Sequence, residues 1–305
     1  MTITAALPHS RSASHIAVAW IVTLLASSLG DIVAYELTGS VPLWLSWAKA
    51  GLLVALITLG SLWRPIKSLH PFFVILFALA ILMGAHGWLL ARPAFIAWQG
   101  RQSFTVAALS LQALEMGVAL LLIGVLFVLR GRRGAFFLIR GDLDAVAQPV
   151  RWLFQKAPGP LWSFGLVFTL VVVVAQIFMF VVPLAPSADT LRRLLPLLPV
   201  ILLLAISNGF NEEAILRAAP IAPVFEVVGT QNAVWMAAVL FGLSHYIGGI
   251  PSGIPGVLIT TVLGWFFGKC MVDSKGLFWP WLFHAIQDIV PFTFAALVAL
   301  SAQGR

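Results

Sequence analysis

Nine stretches of 16 to 25 residues, each almost wholly apolar, follow one another along the chain: Ile16–Leu37, Leu43–Trp63, Pro71–Arg92, Thr105–Leu129, Trp162–Ala185, Leu194–Ala218, Asn232–Ile247, Pro255–Val272 and Phe278–Leu300. About 20 apolar residues are what an α-helix needs to cross the hydrocarbon of a bilayer. Inside hydrocarbon every backbone polar group must be bonded internally, which leaves helices or a closed barrel. The fold class this implies is an all-α polytopic membrane protein, a bundle of eight to nine transmembrane helices. The first stretch fits least well, because it carries Asp31 and Glu36, and the seventh is short; eight is therefore the alternative count. Composition agrees. Of 305 residues, 61% are apolar and 10% charged, against about 45–50% and about 25% in a soluble domain. That little polar surface cannot cover a soluble core of this size, which excludes a disordered chain and an ordinary soluble enzyme. The net charge of +7 fits cytoplasmic loops and anionic lipid headgroups rather than nucleic acid. Cys270 is the single cysteine, so no intrachain disulfide forms.

Basic residues set the expected orientation. Arg64 and Lys67 lie between the second and third stretches, and Lys269 and Lys275 flank the turn between the last two. Arg130, Arg132, Arg133, Arg140, Arg151 and Lys156 crowd one connection against only Asp142 and Asp144. With the N-terminus cytoplasmic, all three clusters fall inside; Arg192 and Arg193 fall outside and oppose the trend. Arg11 and Ala26-Ser27-Ser28 could pass for a signal peptide, but the apolar run continues beyond them, so an uncleaved span is expected. The expected setting is the plasma membrane of a prokaryote, with the N-terminus and the basic loop cytoplasmic. That loop divides the chain into N-terminal helices over 1–129, a basic, aromatic segment over 130–160 and a C-terminal core over 161–305. Phe136, Phe137, Trp152 and Phe154 among its arginines suit either a headgroup-level lipid or substrate contact or a tethered loop.

Ionisable groups in hydrocarbon are costly and usually face a cavity with a task. In the first half Asp31, Glu36, Lys49, His86 and Glu115 are scattered without a spacing pattern. The second half is different. Asn211-Glu212-Glu213-Ala214-Ile215-Leu216-Arg217 places two carboxylates and an arginine in one helix. Four residues apart, Glu213 and Arg217 share a face and can pair. Glu212 lies about 140° around the helix from Arg217, which leaves it free to accept a proton as a general base. Phe241 and His245 share a face, as do His284 and Asp288, where a carboxylate beside an imidazole can fix its tautomer. At about 1.5 Å per residue, Glu212 and His284 both come to about 9 Å depth and Asp288 to about 15 Å. These three can meet in one intramembrane cavity among the late helices. His245 comes to about 20 Å and joins them only if 219–231 dips into the membrane, which Pro220 and Pro223 would allow.

The ordered set Glu212-Glu213-x-x-x-Arg217, Phe241-x-x-x-His245 and His284-x-x-x-Asp288 resembles the CPBP family, the CAAX proteases and bacteriocin-processing enzymes, over about residues 160–300. The resemblance implies a bundle of about eight helices and hydrolysis of a peptide bond in a membrane-associated peptide or protein. It implies that Glu212 activates water with help from His245, that Glu213 and Arg217 support it, and that His284 and the residue at 288 steady the oxyanion. The family more typically has asparagine where this chain has Asp288. An ionised carboxylate cannot donate to an oxyanion, so Asp288 is either protonated or, more simply, orients His284. Two histidines with carboxylates would also make an acceptable zinc set, although no His-Glu-x-x-His motif is present. The resemblance favours a metal-free reaction requiring no cofactor, with zinc as the alternative.

Two other functions compete. A scaffold or immunity protein of the same fold would not need the intact motif residues. A transporter would usually show broken helices and buried charges in both halves, whereas here the charges cluster in one. The partners expected are a membrane-anchored substrate and membrane lipids, with no nucleic acid.

Overall fold

The apolar stretches fold as helices in the computed structural model, which describes residues 13–150 and 157–303. In chain order these are α1 (Ala13–Ala26), α2 (Leu29–Thr38), α3 (Leu43–Leu62), α4 (His70–Leu90), α5 (Pro93–Gln99), α6 (Phe104–Arg130), α7 (Leu161–Gln176), α8 (Ala188–Leu194), α9 (Leu198–Glu213), the short α10 (Ala219–Ile221) and α11 (Phe225–Val228), then α12 (Thr230–Gly248), α13 (Gly253–Ser274) and α14 (Phe278–Gln303). Among the described residues, seven helical runs are long and apolar enough to cross a membrane. An eighth crossing follows if α1 and α2, bent by 42° at Ser27-Ser28, count as one broken span. The fold is thus the expected all-α polytopic one. The remaining stretch is the helix α12, which carries Gln231, Asn232, Ser244 and His245 and is walled in by protein, with Ala233, Ala237, Ala238 and Phe241 buried.

Prolines shape two helices at the places that matter later. The helix begun as α7 opens into a wide π turn over Ile177–Val181, and α9 does the same over Ala214–Ala218. Pro183 and Pro220 follow directly. A proline has no N–H for the carbonyl four residues back and its ring presses on that carbonyl, so a widened turn before it relieves both faults.

The late helices form the core of the bundle. α12 runs along α13, while α14 packs against α9, α7 and α13. Small residues permit the closest approaches. A methyl group on Gly209 of α9 would sit 3.1 Å from the Ala285 backbone nitrogen of α14. On Gly242 of α12 it would sit 2.9 Å from the Val257 carbonyl of α13 and collide with the Thr261 hydroxyl.

The long connection is tethered rather than spread over headgroups. Phe136 and Phe137 are core residues. Residues 146–147 pair antiparallel with 159–160, and the backbone bonds from Asp142 N to Ser274 O (2.7 Å) and from Leu277 N to Ile139 O (2.8 Å) clip the loop to the α13–α14 turn. The Trp279 indole adds a bond to the Leu143 carbonyl. Arg11, and in this loop Arg151, Trp152, Phe154 and Lys156, lie outside the described residues. Of the scattered first-half charges, Asp31 pairs with Lys49 at 2.6 Å and Glu36 accepts from Tyr246 at 2.8 Å. They hold helices together.

Candidate active site

The three motifs come from α9 with its π turn, from α12 and from α14, and they converge. Glu213 and Arg217 are both fully buried and pair at 3.4 Å, as their spacing predicts. Aromatic faces complete the guanidinium's environment: its carbon lies 3.9 Å from the centre of the Phe241 ring and 5.4 Å from that of Phe267. A cation over an aromatic face is stabilised by the ring's negative centre.

Glu213 has a second partner that the sequence did not reveal. Its Oε1 accepts from His284 Nδ1 at 2.8 Å. A carboxylate without a proton can only accept, so this bond places a proton on Nδ1 and fixes the imidazole. Phe267 stacks on the ring at 4.5 Å, nearly parallel at 10°. The orienting carboxylate is therefore Glu213, not Asp288 as the i,i+4 spacing suggested. The reason is tertiary: α9 and α14 approach so closely at Gly209 that a side chain from the neighbouring helix reaches Nδ1. His284 Nε2 is left facing Glu212 at 3.5 Å and Asp288 at 3.6 Å.

A polar network fixes those two carboxylates. Gln112 of α6 accepts at Oε1 from Asn211 Nδ2 (3.2 Å) and Ser207 Oγ (3.3 Å) and donates from Nε2 to Asn208 Oδ1 (2.9 Å). With its oxygen so engaged, Asn208 must turn its NH2 toward the carboxylates. It donates to Asp288 Oδ2 at 2.9 Å and to Glu212 Oε1 at 3.4 Å. The sequence motifs include neither Asn208 nor Gln112. Asn208 stands four residues before Glu212, a spacing that could have suggested it; nothing in the sequence points to Gln112, which comes from the other half of the chain.

Glu212, His245, His284, Asp288 and Asn208 line one cavity of about 150 Å³. Accessibility separates the adjacent glutamates. The Glu212 side chain is 24% exposed and the Glu213 side chain 0%, so only Glu212 can meet water. His245 enters the same cavity because the chain after the π turn stays inside the protein: Ala219, Pro220, Ile221, Ala222 and Val224 are all buried. Its Nδ1 bonds the Phe241 carbonyl at 3.0 Å. A carbonyl only accepts, so a proton is on Nδ1, and in the neutral ring Nε2 is then the acceptor. Arg217 does not reach the cavity; it supports Glu213 from behind. Among the described residues no group of three or more His, Cys, Asp or Glu side chains is arranged to hold a metal ion.

A family model described as Type II CAAX prenyl endopeptidase Rce1-like matches residues 194–290. That stretch contains Glu212, Glu213, Arg217, His245, His284 and Asp288, and the match is consistent with the CPBP family. No curated protein and no solved structure matches the chain.

Proposed function

We propose that the protein is an intramembrane endopeptidase in which Glu212 activates a water to hydrolyse a peptide bond of a membrane-associated peptide or protein. The observation that carries this reading is the division of labour between adjacent carboxylates. Glu213 is sealed between Arg217 and His284, while Glu212 alone opens to the cavity. Glu212 takes a proton from water, and the oxygen attacks the scissile carbonyl carbon. His245, with its free Nε2, receives a hydrogen bond from the same water. Asn208 spends its two N–H groups on Asp288 and Glu212 and so holds the carboxylate pair in place beside the cavity. Glu212 passes its proton to the leaving nitrogen, the C–N bond breaks, and the products are a carboxylic acid and an amine, the acid then giving its remaining proton to the amine to leave a carboxylate and an ammonium. His284, held by Glu213 through Nδ1, presents Nε2 to both Glu212 and Asp288 and keeps the two carboxylates in register.

The match to a prenyl endopeptidase model suggests the first substrate to try. A purified sample in lipid vesicles is given an internally quenched peptide ending in farnesyl-cysteine and three further residues. Release of the tripeptide, with one oxygen from labelled water in the new carboxylate, is the expected result. A wild-type sample that leaves the peptide intact would remove the prenyl-peptide reading. A comparison of membrane-protein termini in cells carrying wild-type or Glu212→Gln protein would then test peptidase activity on other substrates.

A further inference from the structure

Two side chains in the cavity wall take no part in this chemistry. Gln287 of α14 is 2% exposed. Its Nε2 donates to Thr169 Oγ1 of α7 at 3.5 Å, and among the described residues nothing donates to its buried Oε1. Gln176, the last residue of α7, likewise has a buried Oε1 without a donor. Both line the cavity that holds Glu212, His284 and Asp288. A buried amide oxygen with no partner is costly and rarely left so. The polar groups around these two are engaged elsewhere: carboxylates only accept, the Asn208 amide is directed at the carboxylates, the Thr260 hydroxyl donates to the Gly256 carbonyl and His245 Nδ1 bonds the Phe241 carbonyl. Pro291, also in the wall, has no N–H to give to the Gln287 main-chain carbonyl one turn back. The seam between α7 and α14 is thus rich in acceptors and poor in donors.

Its geometry is that of a line rather than a point. Thr169, which holds Gln287, and Gln176 are seven residues apart, two turns along one face of α7, or about 10 Å. An extended chain advances about 3.3 Å per residue, so about 10 Å corresponds to about three residues, and two long glutamine side chains anchored on this spacing would meet N–H groups of two different substrate residues.

Resting on the peptidase reading, we propose that Gln287 and Gln176 form a backbone clamp, accepting two N–H groups of an extended substrate segment laid along the α7–α14 seam. This defines the class of substrate. In a helix the N–H groups are already spent on carbonyls four residues back, so a helical transmembrane segment offers the clamp nothing. The site takes an unwound stretch or a peptide tail, whatever its side chains.

Ester-for-amide substitutions test this, because each removes one N–H from the substrate. A series of the farnesylated probe peptide with a single ester walked along its backbone is assayed with wild type, Gln287→Met and Gln176→Met. In wild type, one ester position for each glutamine should raise KM about tenfold, the scale of a lost hydrogen bond, with kcat within about twofold. Gln287→Met should raise KM for the all-amide peptide by a similar factor and lose sensitivity to its own ester position while keeping sensitivity to the other. Gln176→Met should do the reverse, and because Gln176 is less buried it keeps the test alive if the first variant folds poorly. Unchanged KM in both variants, or ester effects as large in them as in wild type, would overturn the clamp alone. If wild type cuts no form of the peptide, the prenyl-peptide reading fails, and the ester series moves to whichever substrate the termini comparison yields.

Discussion

Glu212 and Glu213 are neighbours in the chain with opposite surroundings, and substitutions should separate them. Glu212→Gln keeps size and hydrogen bonding but removes the proton acceptor. Turnover should fall by about 10² or more, with the melting temperature nearly unchanged. Wild-type turnover in this variant would end the assignment. Glu213→Gln instead leaves Arg217 buried without a counter-charge and leaves His284 Nδ1 only a neutral amide oxygen as acceptor. Breaking such a pair costs about 3–5 kcal/mol, so both protein yield and activity should drop. Asp288→Asn should keep substantial activity, since its carbonyl can still accept from Asn208, while Asp288→Leu strands that donor and should lose it. A zinc-ligand role for Asp288 gives another pattern: a neutral amide would weaken the metal, and activity would fall in the asparagine variant, return with zinc and vanish with a chelator. The metal-free pattern is the expected one.

At the scale of elements, the contact between α9 and α14 decides whether the site exists. A methyl on Gly209 meets backbone, not a flexible side chain, so the helices themselves must part to admit a larger residue. Gly209→Val should abolish cleavage and lower the melting temperature by several degrees, whereas Gly209→Ala should show a partial effect on both. Full activity in the valine variant would mean that the close approach does not position Glu213 on His284. The π turns act at the same scale. The spacing rule for an α-helix anticipated the Glu213–Arg217 pair, yet the turn that carries Arg217 is widened ahead of Pro220. The proline is plain in the sequence, but its effect on the turn depends on how the helix is held by its neighbours.

For the whole molecule, orientation determines the side from which substrates approach. The basic connection should face the cytoplasm. Single cysteines at Arg133 or Gly134, both exposed, in a Cys270→Ala background should resist an impermeant thiol reagent in intact cells and react after lysis. Labelling of intact cells would invert the topology. Exposed Trp44, Trp47 and Trp88 all fall at the opposite membrane surface in this orientation, where indoles favour the interface.

Length and polarity of the apolar runs were enough to determine the helical membrane fold, because hydrocarbon leaves a helical backbone so few alternatives. Helical spacing also located the Glu213–Arg217 pair and placed Phe241, His245, His284 and Asp288 on shared faces, since an i,i+4 relation is local. What the sequence could not determine was which groups meet across helices. Glu213 rather than Asp288 anchors His284, Asn208 faces both carboxylates, and Gln112 enters from α6, because these contacts depend on the approach of helices far apart in the chain. The exposure that distinguishes Glu212 from Glu213 has the same origin: two identical side chains acquire different chemistry only when packing buries one and leaves the other beside a cavity.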